Sequence, residues 1–237
     1  MKKKVLIGAI IVAVLAIVVS SSLAYFTAQD KATNVFTVGS VKIEVYENDE
    51  ATDSDTIEFG RLTPIVKVDD PAADVSYIDK VVDIKNTGSN DAYIRTHIAL
   101  PTALVGYLHL DISESGWTRQ ADSTATVDGI DYTVYTYDHD AAVSADQFTA
   151  ELLQGVYLGA NVDLEEDADG NLVFILRDAN GEKVADSGYV AHTLNADGTY
   201  SSSTVNVLVA SQAIQADGFD DATSALNSGF GSNPWAN

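Results

Sequence analysis

The feature that most restricts the fold is a repeated pattern of short runs in which apolar and polar residues alternate. Val41 to Tyr46 and Leu108 to Ile112 are two such runs. A period of two places successive side chains on opposite faces of a strand, so each run is typical of a half-buried β-strand. The segments TATV and IDYTVYTY flank Asp128-Gly129, a dipeptide favoured in two-residue hairpin turns. Many short strands with turns between them predict an all-β sandwich.

Two more turns and one central strand are predicted in the C-terminal half. The turn signals are Ala179-Asn180-Gly181 and Ala196-Asp197-Gly198. Thr204 to Ile214 (TVNVLVASQAI) is the most apolar strand after the N-terminal segment. A nearly continuous apolar run indicates a strand that is covered on both faces.

Two short helices are predicted within this sandwich. The first spans Ala145 to Gln154, because Ser144 and Gln147 have capping-box spacing and Gly155 fits a helix end. The second spans Asp217 to Gly229 and closes one end of the sandwich. It has Phe219, Ala222 and Leu226 on one side and two aspartates in its first turn.

The N-terminal segment has the three parts of a secretory signal peptide. Three lysines precede an apolar run from Val5 to Val19, and small residues follow up to Ala24. We predict that residues 1–24 form a signal-peptide helix and that cleavage occurs between Ala24 and Tyr25. A retained anchor is the alternative, although fifteen apolar residues are fewer than the ~20 that a membrane-spanning helix needs. The mature protein is expected to have no membrane segment.

Residues 25–40 are predicted to form a separable arm in front of a single domain, residues 41–237. Phe36 and Val38 lie on even positions, whereas the strand that begins at Val41 has its apolar residues on odd positions. One continuous strand would point these two sets at opposite faces, and Gly39 allows a break between them. The arm carries Tyr25, Phe26, Val35, Phe36 and Val38 and is hinged at Gly39. An edge strand that kinks and stays in its own subunit is the alternative.

Three stretches of the chain resemble one family. They are Leu23 to Val41 at the junction of signal and mature sequence, YIDKVVDIKNTGSNDAYIRTHIALP (Tyr77 to Pro101) and AIQADGFDDATSALNSGFG (Ala213 to Gly231). These stretches look like proteins with a SipW-type signal peptide, the TasA/camelysin family of Gram-positive bacteria and some archaea. The resemblance implies a jelly-roll-like antiparallel β-sandwich, cleavage by a SipW-type signal peptidase, and fibres formed by donor-strand assembly.

The charge excludes some classes of partner. The formal net charge is −22, and removal of the signal leaves 10 basic against 35 acidic residues, hence about −25. Nucleic acids and anionic membranes are bound through basic patches, so neither is an expected partner. The chain has no cysteine, which excludes disulfides and thiol catalysis. These properties suit a secreted protein in the extracellular matrix or at the cell surface.

The sequence contains no recognisable catalytic motif. His97, His109, His139 and His192 are scattered and lack the spacing of a zinc peptidase, so they are interpreted as surface histidines. The peptidase label of camelysin-like proteins is therefore not supported. There is no G-x-S-x-G elbow and no glycine-rich phosphate loop. We predict a protein that is not an enzyme and has no cofactor.

Two groups of charged residues are candidates for weaker sites. Glu165, Asp167 and Asp169 imitate the first half of a calcium loop, but Leu176 occupies its twelfth position. An ordinary turn is the preferred interpretation, and weak calcium binding is the alternative. Arg95 and the pair Asp79-Lys80 are interpreted as a strand-edge ion pair.

Two functions from different classes follow from the sequence. The first is a secreted subunit of biofilm-matrix fibres, which assembles head-to-tail with copies of itself through the N-terminal arm. The second is a monomeric surface module that binds polysaccharide, a matrix protein or calcium. The second would use an aromatic platform, formed by Tyr93, Trp117, Tyr132, Tyr135 and Tyr137. A camelysin-like secreted peptidase is a third and weaker alternative.

Overall fold

Two antiparallel sheets face each other in the central part of the molecule. The computed structural model describes residues 27–31, 41–47, 50–51, 56–58, 63–202, 204–231 and 233–235. In spatial order, sheet A contains β1 (Thr27–Lys31), β17 (Leu208–Gln215), β6 (Ala92–Pro101), β10 (Ile130–His139) and β8 (Trp117–Arg119), and β9 (Ser123–Val127) also pairs with β10. Sheet B contains β3 (Glu50–Ala51), β2 (Ile43–Glu47), β5 (Ile78–Asn86), β11 (Leu153–Leu158) and β7 (Leu108–Ile112).

The remaining described elements lie outside these two sheets. A four-stranded sheet contains β12 (Val162–Glu166), β13 (Leu172–Leu176), β14 (Tyr189–Leu194) and β15 (Tyr200–Ser202), and β16 (Thr204–Asn206) pairs with β4 (Thr56–Glu58). Two single-turn 3₁₀ helices span Pro71–Ala73 and Thr102–Leu104, and the α-helix α1 spans Ala222–Gly229. In the part of the chain that the structure describes, no helix has both the length and the apolar content needed to cross a membrane.

The main core lies between sheets A and B. Ile94 and Ile98 of β6 and Val82 and Ile84 of β5 belong to one buried cluster. The chain crosses between the sheets repeatedly: β5 is in sheet B, β6 in sheet A, β7 in sheet B and β10 in sheet A. The structure thus confirms the predicted all-β antiparallel sandwich.

The C-terminal segment covers the outer face of sheet A. Odd-numbered residues of β6 point away from the main core, yet Arg95 and His97 are buried. Leu226 of α1 packs with Ile214 and Tyr93 near one end of this face, and Trp235 packs near Ala99 further along. The predicted second helix is confirmed in its C-terminal part as α1, which begins at Ala222 and not at Asp217. Asp221 is its N-cap, and its first turn contains no acidic residue. The helix packs on a sheet face, however, and not across an end of the sandwich.

The predicted helix over Ala145 to Gln154 is wrong. This segment is extended and follows β5, with hydrogen bonds from Asn86 N to Gln147 O (2.9 Å) and from Thr149 N to Ile84 O (2.9 Å). The Ser144 and Gln147 spacing produces a single turn with a bond of 3.1 Å between their backbones. Pairing with a long neighbouring strand satisfies the backbone groups that a short helix would leave unpaired at its ends.

The predicted turns are confirmed, but the predicted strand over Thr204 to Ile214 is confirmed only in its second part. The structure divides it into β16, which pairs with β4, and β17, which lies between β1 and β6. Asp128 and Gly129 have φ of 51° and 80°, and two positive φ angles are what a tight type I′ hairpin turn requires. Gly181 and Gly198 also have positive φ at the two other predicted turns. β17 is buried from Val209 to Ile214, as its nearly continuous apolar sequence predicted.

Candidate functional site

The free edge of sheet A is formed by β1 and, behind it, β17. β1 pairs antiparallel with β17 in a continuous register from Thr27 opposite Ile214 to Lys31 opposite Ala210. Among the described strands, β17 is the one neighbour of β1 in this sheet. β1 is therefore an edge strand of sheet A, held from one side.

β17 needs a partner at this edge because it is a core strand. Its opposite edge is paired with β6 along its whole length, from Leu208 opposite Ala99 to Gln215 opposite Ala92. Its side chains are buried on both faces, and Ser211 forms a buried hydrogen bond of 2.9 Å with Thr96. Without β1, a row of backbone N–H and C=O groups would open beside a buried strand, which is a template for strand addition. The structure thus shows the edge of β17 occupied by β1 of the same chain, and this edge is the candidate functional site.

The predicted arm is only partly covered by the structure. Its residues Tyr25, Phe26, Val35, Phe36, Val38 and Gly39, and the cleavage pair Ala24 and Tyr25, lie outside the described residues. The described part, Thr27–Lys31, pairs with β17 of the same subunit. This agrees with the alternative prediction, an edge strand that remains in its own subunit. Eleven residues, 32–42, connect it to β2, and a connection of that length can span about 35 Å when extended.

The predicted aromatic platform is not assembled. Tyr132 lies in the cluster on the outer face of sheet A, whereas Tyr137 and Trp117 belong to the main core. Trp117 is buried and donates from Nε1 to Ala150 O at 3.1 Å. Alternation along β10 places Tyr132 on one face of the sheet and Tyr135 and Tyr137 on the other. These residues therefore cannot offer one continuous surface.

The prediction of four surface histidines is wrong for His97. This residue is fully buried, with Nδ1 at 2.9 Å from Thr136 Oγ1 and Nε2 at 3.1 Å from Gln212 Oε1. Burial lowers its pKa to about 4. Because an amide oxygen only accepts, the neutral ring donates from Nε2 to Gln212 and accepts at Nδ1 from Thr136. Within the described residues, no three histidine or acidic side chains are grouped closely enough to hold a metal ion.

Arg95 is not part of a strand-edge ion pair. It lies on the central strand β6 and forms two hydrogen bonds with Asp138 of β10, from Nε at 2.6 Å and from Nη2 at 2.9 Å. The two side chains are 4% and 1% exposed. Nη2 also donates to Asn227 of α1 at 2.8 Å. The ion pair thus connects the central strands to the C-terminal helix.

The residues of the calcium-like loop have other partners. Glu165 is paired with Arg177 (3.0 Å) and Lys183 (3.1 Å). Asp167 Oδ1 accepts from the backbone N–H groups of Asp169 and Asn171, at 2.9 Å each. Hydrogen bonds from the side chain and the backbone of Asn171 lower the pKa of Asp167. The preferred interpretation of this segment as a turn is confirmed, with Gly170 at a φ of 83°.

A cleft that was not anticipated lies at the other side of the sandwich. It has a volume of about 380 Å³ and is lined by residues of β7, by Tyr135 and Tyr137 of β10, and by Glu114 and Arg119. The alternating run Leu108 to Ile112 predicted the strand β7. The position of β7 at the edge of its sheet depends on the order of the strands. The sequence carries no local signal for that order, so it does not predict the cleft.

Comparison of the chain with protein-family models, with curated proteins and with solved structures gives no match in any of the three.

Proposed function

We propose that this protein is a secreted structural subunit that assembles into extracellular fibres by exchange of its N-terminal arm. The observation that carries the proposal is the position of β1, an edge strand attached to β17 alone among the described strands. The resemblance to the TasA/camelysin family motivates the proposal, and the antiparallel sandwich is compatible with it. In the fibre, the arm of one subunit takes the place of β1 beside β17 of the next.

Exchange costs little in pairing energy, because the arm can form the same backbone hydrogen bonds with a neighbour as with its own subunit. The two states differ in what residues 32–42 connect. Before exchange they join β2 to a β1 strand that pairs within the same subunit, and after exchange they join β2 to a strand that pairs with another subunit. Exchange of an identical element is a low-cost route to association. When each arm enters the next subunit, the contact is head-to-tail, and a contact that does not close generates a filament.

Export supplies a switch for this assembly. While residues 1–24 remain attached and hold the chain in the membrane, the arm cannot reach the β17 edge of a neighbour. Cleavage after Ala24 by a signal peptidase of the SipW type releases the new N-terminus at Tyr25. Assembly is thereby delayed until the protein is outside the cell, in the matrix of a Gram-positive bacterium or an archaeon.

Deletion of Tyr25 to Val38 tests this proposal. We expect the shortened protein to remain folded and monomeric, because the buried core cluster between sheets A and B, among the residues that the structure describes, begins at Val41. Electron microscopy should show fibres of the chain that begins at Tyr25 and none of the shortened chain. A synthetic peptide of residues 25–38 should bind the shortened chain, and a scrambled peptide should not. Fibres formed by the shortened chain would show that the arm is not the connector.

A monomeric surface module is the second candidate, because the described part of the arm pairs within its own subunit. In that case the protein that begins at Tyr25 would keep a constant, monomeric mass in light scattering at all concentrations. A mass that grows with time and concentration would favour the fibre subunit.

A further inference from the structure

The cleft of about 380 Å³ lies between the edge strands of the two sheets. Within the described residues, β7 pairs with β11 on one side, and its other edge faces the cleft. β8 and β10 of sheet A form the opposite wall through Arg119, Tyr135 and Tyr137. Its volume falls within the range of roughly 300 to 1,000 Å³ that is typical of small-molecule sites.

Aliphatic side chains form one part of a cleft lining that is otherwise polar. Leu100, Leu108, Leu110 and Ile112 contribute aliphatic side chains. Leu110, Ile112 and Tyr135 are partly buried and pack against the main core, so part of each remains open to the cleft. A surface of this kind offers contact to the C–H groups of a ligand.

The rim combines hydrogen-bond donors and acceptors that the fold does not use. Arg119 lies over the ring of Tyr135, 5.4 Å from its centroid, and binds Asp122 through Nη2. Its Nε and Nη1 atoms, the carboxylate of Glu114 and the hydroxyl groups of Tyr135 and Tyr137 form no hydrogen bond with any described residue. Asp111 accepts from the Tyr77 hydroxyl at 2.8 Å through one oxygen, which leaves its other oxygen available.

These features select the class of ligand. Asp111 and Glu114, together with a net charge of −22, disfavour an anionic ligand. The guanidinium group of Arg119 lies in the same cleft and, although it is paired with Asp122, it weakens the attraction of the two carboxylates for a cation. Hydroxyl groups donate and accept at once, so they match a mainly polar lining with closely spaced donors and acceptors. We propose that this cleft binds a neutral oligosaccharide, with sugar C–H groups on the leucines and hydroxyl groups on Glu114, Arg119 and the Tyr135 hydroxyl.

An added β-strand is the competing occupant, since the outer edge of β7 pairs with none of the described strands and has only an isolated bridge from Val105 to Leu108. A strand would use the backbone of β7 and its apolar side chains. It would not need the Tyr135 hydroxyl or the Glu114 carboxylate, and this difference separates the two occupants experimentally.

The test is isothermal titration calorimetry, in which the chain that begins at Tyr25 is titrated with cellotetraose, maltotetraose and chitotetraose and the heat of binding is measured. We expect saturable binding of at least one of them. Tyr135→Phe and Glu114→Gln should each weaken it by about three- to tenfold, the usual effect of one lost hydrogen bond. Glu151→Gln is the matched control, because Glu151 is exposed and does not line the cleft.

Thermal unfolding of each variant shows whether it is folded. No saturable binding of any of the three sugars, or equal binding by folded variants and control, would overturn the proposal. A different result would assign the cleft to an added strand. In that case the peptide of residues 25–38 would bind, a bulky substitution at Leu110 would block this binding, and no sugar would bind.

Discussion

Arg95 and Asp138 illustrate how single residues tie the C-terminal segment to the sandwich. Their side chains are almost completely buried, and Asn227 and Thr223 of α1 bond to the pair. A buried ion pair gains little over apolar residues of similar size, but loss of one partner leaves a buried charge without compensation.

Substitution of one member of this pair should be far more harmful than substitution of both. We expect Asp138→Ala to lower the free energy of unfolding by about 3 kcal/mol or more. The double variant Arg95→Met/Asp138→Leu should recover most of this loss in urea unfolding. A single variant as stable as the original protein would show that Arg95 is not desolvated by α1.

His97 should make stability depend on pH. Its pKa is about 4 in the folded protein, mainly because of burial, against an ordinary value of 6.5. Since the unfolded chain binds a proton at higher pH than the folded one, stability is full above pH 6.5 and falls as pH decreases toward 4. The expected loss at pH 4 is about 3 kcal/mol.

Urea unfolding at pH 7 and at pH 4.5 measures this effect, and His97→Gln is the comparison. His109 also has a lowered pKa, caused by burial, so some pH dependence should remain in the variant. The variant should nevertheless lose less stability than the original protein over this interval. Equal losses in the two proteins would contradict a buried, neutral His97.

At the scale of the elements, Gly155 in β11 leaves the space that the ring of Tyr77 occupies. A Cβ atom at Gly155 would lie 2.1 Å from the ring of Tyr77. Tyr77 donates to Asp111 and stacks on Tyr157 at 6.1 Å between centroids. β11 also has an irregular register between Leu153 and Gly155, so the bulge and the missing side chain together make room for this ring.

Gly155→Ala should displace Tyr77 and cost about 2 kcal/mol, as overpacking and a lost hydrogen bond usually do. The same substitution at Gly129, where nothing lies within 4 Å, should cost about 1 kcal/mol through its positive φ alone. In a Tyr77→Ala background, Gly155→Ala should become nearly neutral. A cost that persists there would show that the clash with Tyr77 is not the cause.

Local signals predicted the elements whose cause is local. The Asp128-Gly129 turn follows from two positive φ angles, and β17 follows from its own apolar sequence. The segment from 145 to 154 does not form the helix that its sequence predicts, because hydrogen bonds to β5, about sixty residues earlier in the chain, decide its conformation. The burial of His97 has a similar cause, because Gln212 and Trp235, which lie against its ring, are more than a hundred residues away in the chain.

For the whole molecule, the two candidate sites lie on opposite sides of the sandwich. β1 is at one edge of sheet A, and β8 and β10 border the cleft near the other. Occupation of the cleft by a sugar should therefore not compete with strand exchange at β17.

The segment 25–38 contains one aspartate and one lysine, so it carries no net charge in a strongly acidic chain. Repulsion between subunits thus acts least on the segment proposed to connect them.

Interchain disulfide formation tests the exchange most directly, because the chain contains no cysteine. Ala28 and Ala213 are opposite each other in the register of β1 and β17. Isotope-labelled Ala28→Cys subunits are mixed with unlabelled Ala213→Cys subunits and allowed to assemble. The mixture is then oxidised, and mass spectrometry identifies the disulfide-linked species. Ala28→Cys mixed with Glu151→Cys controls for random collision. Exchange predicts abundant disulfide-linked pairs of one labelled and one unlabelled chain. No such pairs above the control, together with ready closure of Ala28→Cys/Ala213→Cys within one chain, would contradict it.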